Sequence, residues 1–224
     1  MASEYAELAV QYDRYNAKAL VNKGNCHSAR GETIDAREQY LEAIGVEADC
    51  VEAIYNLGLV NKHKGELSES LQAFEKLHTI IPSSAEVIYQ IANLHDIAGN
   101  TAQSAKYFSY LISKVPTDPG ILSRLGQLYS KEEDETQAFH FQQESYRYLP
   151  VKLDVISWLG VWFGKNEAYE KAIEFFERAA EVEPKEVKWR LMVASCYRRM
   201  NNFDKAMELY EEIHAQFPEN FECA

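Results

Sequence analysis

Small and apolar residues recur along this chain with a fixed period, and the prolines show it first. Pro82, Pro116, Pro150, Pro184 and Pro218 stand 34 residues apart, with only Pro119 outside the series. Counting each unit from 1 puts the unit starts at Ala17, Val51, Ala85, Pro119, Leu153 and Val187, so that six units fill 17–220 without an insertion. Position 8 reads Gly24, Gly58, Ala92, Gly126, Gly160 and Ala194, and position 20 reads Ala36, Ser70, Ser104, Ala138, Ala172 and Ala206. All are small. Position 24 supplies bulk as Tyr40, Phe74, Phe108, Phe176 and Tyr210, with Gln142 the exception, and positions 4 and 7 are aliphatic except at Arg190 and Lys23. Each unit therefore predicts a helix A over about positions 1–14, a short turn, and a helix B over about 18–31. The small columns mark where the two antiparallel helices cross closely.

Local signals fix the ends of these helices. Gly31, Gly65 and Gly99 at position 15 suit the left-handed residue that ends helix A, whereas the last three units carry Glu133, Glu167 and Asn201 there. The prolines at position 32 cannot continue helix B. Residues 1–16 read as helix B of a preceding unit, with Ala2, Ala6 and Ala9 on its packing face and Asn16 closing it. Residues 221–224 read as the start of a further helix A, which leaves Leu209, Ile213, Phe217 and Phe221 as an uncovered, adhesive edge. The expected organisation is a leading half unit (1–16), six units (17–50, 51–84, 85–118, 119–152, 153–186, 187–220), and a cut following helix, as in a fragment of a longer array.

A 34-residue helix–turn–helix period is the tetratricopeptide length. The expected fold is all-α: a right-handed superhelical solenoid of thirteen helices. Whole phrases go beyond the repeat consensus, among them "PTDPGILSRLGQLY" at 116–129, "QESYRYLP" at 143–150, "EVKWRLMVASCYRR" at 186–199 and "FPENFEC" at 217–223. In these the chain resembles the long tetratricopeptide subunit of the intraflagellar transport B complex, the polaris family. The resemblance implies a non-enzymatic scaffold for assembling and maintaining cilia and flagella, found at cilium, basal body and cytoplasm. It implies binding to other subunits of that complex, notably the fifty-two class core subunit and also the fifty-seven and thirty-eight class pair.

Charge and composition narrow the remaining chemistry. The net charge of -12 disfavours phosphate backbones and anionic lipid, and the longest uncharged apolar run, Val155 to Phe163, is too short to span a bilayer. Neither nucleic acid nor membrane insertion is expected. Four cysteines without CxxC spacing suit a reducing compartment. No phosphate loop, catalytic triad or metal-ligand spacing is present, so no catalytic residue, cofactor or metal is expected. His27 and His95 share a column with Tyr129, Phe163 and Tyr197, and Cys26 and Cys196 share one with Val60 and Leu128; both columns read as packing. The run Lys131 to Glu135, KEEDE, reads as a solvated turn.

Binding is expected on the concave face that helix A lines in such arrays. Position 6 begins as an amide ladder, Asn22, Asn56 and Gln90, able to pair with both N–H and C=O of an extended peptide and solvent-facing until a partner arrives. The same amides also fit plain repeat consensus. Tyr55, Leu59, Tyr89, Asn93 and Ser123 complete the expected groove. Val21 at position 5 lacks the lysine of the carboxylate clamps that hold chaperone tails. A basic patch of Lys188, Arg190, Arg198 and Arg199 beside Trp189 suits an acidic partner, or else internal pairing with Glu170, Glu174, Glu177 and Glu181. Two alternatives to the transport scaffold stay open: a peptide adaptor of a ubiquitin-ligase or chaperone assembly, and the repeat arm of a sugar-transferring enzyme.

Overall fold

The computed structural model describes residues 2–217. Among them are thirteen helices and no strand. The chain divides into two compact units between Ser113 and Lys114. The first holds α1 (Ala2–Tyr12), α2 (Ala17–Ala29), α3 (Thr33–Val46), α4 (Val51–Lys64), α5 (Leu67–Ile80), α6 (Ala85–Ile97) and α7 (Thr101–Lys114). The second holds α8 (Pro119–Lys131), α9 (Glu135–Tyr148), α10 (Leu153–Lys165), α11 (Tyr169–Val182), α12 (Val187–Arg199) and α13 (Phe203–Gln216). Pro218 and residues 221–224, including Phe221 and Cys223, lie outside the described residues.

Side-chain caps start several of the A helices. Asp118 accepts from the Ile121 N–H at 2.9 Å, with Pro119 fixing the first turn of α8. Asn16 accepts from the Ala19 N–H at 3.0 Å. It therefore opens α2 rather than closing α1, because its side-chain oxygen supplies a partner to an otherwise orphaned donor.

At the helix A ends, Gly31, Gly65 and Gly99 have φ of 79°, 82° and 78°, and Glu133, Glu167 and Asn201 take the same left-handed conformation at 61°, 60° and 59°. The geometry persists without glycine. A glutamate there crowds its Cβ against its own backbone, so Glu133→Gly and Glu167→Gly are each expected to stabilise the protein by about 0.5–1 kcal/mol, less than the full left-handed cost because glycine loses more entropy on folding. Urea midpoints that fall in both variants would contradict this.

The small columns are set by close crossings. A Cβ built on Gly24, Gly58 or Gly160 would lie 2.6–2.7 Å from the ring of Tyr40, Phe74 or Phe176. Those rings are buried. Serine at position 20 has its own role, since Ser70 donates to the Gly58 carbonyl at 2.7 Å and Ser104 to that of Ala92 at 2.8 Å, tying helix B to helix A inside the core.

The fourth helix pair differs. Gln142 replaces the ring, only 1% exposed, with its side-chain carbonyl lacking a partner. Ser123, expected in the groove, is fully buried with an unpartnered hydroxyl. In the preceding pairs the same two positions hold Tyr55 edge-on to Phe74 at 5.4 Å and Tyr89 edge-on to Phe108 at 5.6 Å.

The expected C-terminal edge is also altered. Ile213 is 1% exposed, and Leu209 packs against the core built from α10, α11 and α12. Phe203 and Met207 are the large apolar side chains of α13 that stand in solvent. The difference follows from helix phase: positions 23 and 27 turn toward α12, while 17 and 21 turn away.

Candidate functional site

In the first unit, α2, α4 and the start of α6 enclose a groove of about 440 Å³ lined by Val21, Asn22, Asn25, Tyr55, Asn56 and Glu86 among others. Asn22 is exposed. Asn56 and Gln90 are half-buried and already engaged, which corrects the expectation that they face solvent freely. The Asn56 amide donates to Asn25 Oδ1 at 2.9 Å, and the buried Tyr40 hydroxyl donates to the same oxygen at 2.8 Å. Gln90 accepts from Lys62 Nζ at 3.0 Å and donates to the Tyr55 hydroxyl at 3.4 Å. Tyr55 in turn donates to Glu86 Oε1 at 2.6 Å. Asn25 and Asn56 are each held through one polar atom, which leaves the Asn25 amide N–H and the Asn56 carbonyl for a ligand, whereas Gln90 has both of its polar atoms engaged and braces Tyr55 and Lys62.

The structure thus joins Asn22, Asn56, Tyr55 and, through the tyrosine hydroxyl, Gln90. Leu59, Tyr89 and Asn93 are half-buried and do not line this groove. Leu59 packs on the core around Phe74, and Tyr89 on Phe108. Sequence reasoning passed over Asn25, Lys62 and Glu86. Asn25 and Glu86 occupy helix A positions 9 and 2, so their column gave the signal, but only the fold shows which amide orients which.

Glu52 and Glu86 face Lys18 across the groove, leaving it acidic. The Tyr55 hydroxyl is pushed up to about 12 by burial first, then by its bond to the Glu86 carboxylate. Because the folded state holds this proton above the ordinary tyrosine value of about 10, the stability it lends is intact below pH 10 and lost as pH rises toward 12. Burial also pushes the Tyr40 hydroxyl up, so ultraviolet titration should show a late component that Tyr55→Phe reduces by one phenol; an unchanged late component would refute the assignment.

His27 is not simple packing: half-buried, its Nδ1 lies 2.6 Å from Glu32 Oε2, and Glu32 also meets Arg30 at 3.7 Å. His27, Glu32 and Asp35 bring ligand atoms within 4.8 Å of one another, but the tight His–Glu contact engages the ring nitrogen as a staple across the α2–α3 turn. Sequence spacing missed this because the turn, not a helix face, brings them together. Cys26 is only half-buried, whereas Cys196 is buried and its thiol is pushed up by that burial.

The basic patch in the second unit divides. Arg190 pairs with Glu212 at 3.6 Å and hydrogen-bonds Gln216, both on α13, rather than with the acidic residues of α11 as expected. Glu177 and Glu181 nonetheless line the same cleft as Arg190. Lys188 lies over the Trp189 ring at 4.4 Å. Trp189 itself is 4% exposed, so its indole belongs to the core and is not offered to a partner. Arg198 and Arg199 remain exposed at the end of α12.

Comparison with known proteins identifies what this geometry resembles. Residues 16–85 match the family model described as "Tetratricopeptide repeat", and residues 159–222 match "Regulator of microtubule dynamics protein 1-3". No curated protein matches the chain. Among solved structures, YrrB, described as a TPR protein with an unusual peptide-binding site, is similar at 20% identity and a TM-score of 0.69, covering 84% of this chain and 97% of its own. PilF of Pseudomonas aeruginosa is 15% identical, covering 92% and 94% respectively at a TM-score of 0.70. A tetratricopeptide repeat protein from Parabacteroides merdae is 17% identical, covering 89% and 79% at 0.70. What the chain shares with these proteins is the tetratricopeptide fold, built here from six 34-residue helix pairs behind a leading helix, with residues 16–85 matching the repeat family itself.

Proposed function

We propose that the protein is a non-enzymatic interaction scaffold that holds an extended segment of a partner protein in the groove between α2, α4 and α6. The observation that carries this reading is the oriented amide set. Asn25 and Asn56 are locked by Tyr40 and by each other, so the groove meets a peptide backbone with donors and acceptors already aimed, which lowers the entropic cost of binding. Val21, Glu52 and Glu86 give no cationic clamp for a terminal carboxylate, so the partner segment is internal and neutral or basic. YrrB, with its peptide-binding site, supports the mode of recognition.

We further propose that the assembly is the intraflagellar transport B complex, with partners among its subunits, first the fifty-two class core subunit and then the fifty-seven and thirty-eight class pair, at cilium, basal body and cytoplasm. The phrases at 143–150 and 186–199 support this reading. A second reading is a peptide adaptor in a microtubule-associated assembly, favoured by the match at 159–222 to regulators of microtubule dynamics. Tagged protein recovered from ciliated cells, followed by crosslink mapping, separates the two. Recovery of transport subunits crosslinked to α2, α4 and α6 is the expected result; a preparation with tubulin-associated proteins and no transport subunit would favour the second reading.

A further inference from the structure

The second unit contains another groove, of about 470 Å³, lined by Ser130, Glu133, Glu135, Trp158, Val161, Trp162 and Lys165. We infer that this groove docks a basic, extended segment of a partner protein, seating an arginine or lysine side chain against Trp158 between the Glu133 and Glu135 carboxylates. It is independent of the amide groove of the first unit.

Three features of the groove converge on a cationic occupant. The first is its aromatic wall. Trp158 and Val161 stand at positions 6 and 9 of α10, and the indole N–H of Trp158 donates to Ser130 Oγ at 3.3 Å, which fixes the ring across the mouth. Trp162, which also lines the groove, is stacked on Phe139 at 4.0 Å, so the second ring of the wall is held as well. A fixed indole attracts a guanidinium or ammonium through its negative face.

Charge is the second feature. Glu133 and Glu135 are exposed at the turn between α8 and α9, within the run Glu132-Glu133-Asp134-Glu135, and neither carboxylate is held by an ion pair among the described residues. The Asp134 carboxylate is occupied as the cap of α9, accepting from Gln137 N–H at 3.1 Å. Among the described residues, Lys165 is the one base lining the groove. Charge complementarity therefore selects a partner with more than one positive side chain, one opposite Trp158 and the next along the carboxylates.

Third, Glu133 occupies the left-handed position that glycine fills in the first three pairs. The chain retains a carboxylate at the lip of the groove where glycine would relieve backbone strain. Glu167 and Asn201 share the conformation, so what is particular to this pair is that the retained side chain is a carboxylate lining the groove.

The test uses the full chain and a hexa-arginine peptide, with hexa-glutamate as the control, followed by calorimetry and tryptophan emission. Binding of hexa-arginine with a shift in emission is expected, and none for hexa-glutamate. Glu133→Gly with Glu135→Gln should weaken hexa-arginine about tenfold while the fold remains at least as stable, since the first change removes strain. Trp158→Phe should leave measurable binding and abolish most of the emission shift; Trp158→Leu should weaken binding about fivefold at unchanged charge. A two-charge control elsewhere, Glu38→Gln with Glu75→Gln, should change affinity by less than twofold. Equal losses in that control would reveal diffuse attraction to an acidic protein and overturn the assignment, as would full affinity in Trp158→Leu. Asn22→Ala, in the other groove, should leave hexa-arginine binding as it is.

Discussion

Gly160→Leu is expected to cost about 3 kcal/mol or more and to lower the melting temperature by roughly 10 °C. Even a bare Cβ at this position would stand 2.7 Å from Phe176, whose ring is buried between α10 and α11. The ring cannot retreat, because Ala172, Ile173 and Ala179 pack the same core with Ile156 and Trp189. A branched side chain must therefore push the two helices apart. The series should be graded, since Ala92 and Ala194 show that other pairs accommodate one methyl at the corresponding position while remaining fully buried. Gly160→Ala should cost about 1 kcal/mol by comparison. Gly58→Leu, facing Phe74 at 2.7 Å, should reproduce the large loss in the first unit. Thermal and urea unfolding measure all three, and a wild-type melt for Gly160→Leu would mean that the crossing is not where the structure puts it.

The combined change Asn22→Ala, Asn56→Ala and Gln90→Ala is expected to weaken the partner of the first groove at least tenfold, each amide contributing about 0.5–1.5 kcal/mol net. Stability should fall slightly, because Asn56 and Gln90 also hold bonds to Asn25, Lys62 and Tyr55, all of them partly solvated. Tyr55→Phe is the sharper companion. It keeps the edge contact with Phe74 at 5.4 Å yet removes the hydroxyl between Gln90 and Glu86. Its binding loss should be smaller than the triple variant's and accompanied by an almost unchanged melt. Tyr55→Ala would strip a ring from the core edge and mix the two effects. Charge reversal at the exposed Arg198 and Arg199 should act on salt dependence and association rate alone. Calorimetry with a crosslinked partner segment decides the matter: full affinity in a folded triple variant would place the binding surface elsewhere than this groove.

The repeat was legible from sequence because it is enforced twice, by sterics and by period. Glycine or alanine at position 8 of all six units and a ring at position 24 of five of them are one physical requirement, so the helix pairs could be read residue by residue from the chain. The fourth pair shows where such reading stops. Gln142 announced itself as an exception, but nothing in the sequence said that Ser123 would be buried opposite the same core with its hydroxyl unpaired.

Asn22, Asn56 and Gln90 were visible as a column, since periodicity assigns residues to a face. What each amide does was decided by neighbours one repeat away: Tyr40 and Asn25 set Asn56, Lys62 and Tyr55 set Gln90, and Arg190 found Glu212 rather than the acidic face of α11. The sequence by itself determined the helices, their approximate boundaries and the buried columns at positions 8 and 20, because those follow from spacing and backbone chemistry along the chain. Only the tertiary structure decided which polar groups meet, because hydrogen bonds and ion pairs depend on distances of about 3–4 Å between side chains that lie 15 to 35 residues apart in sequence.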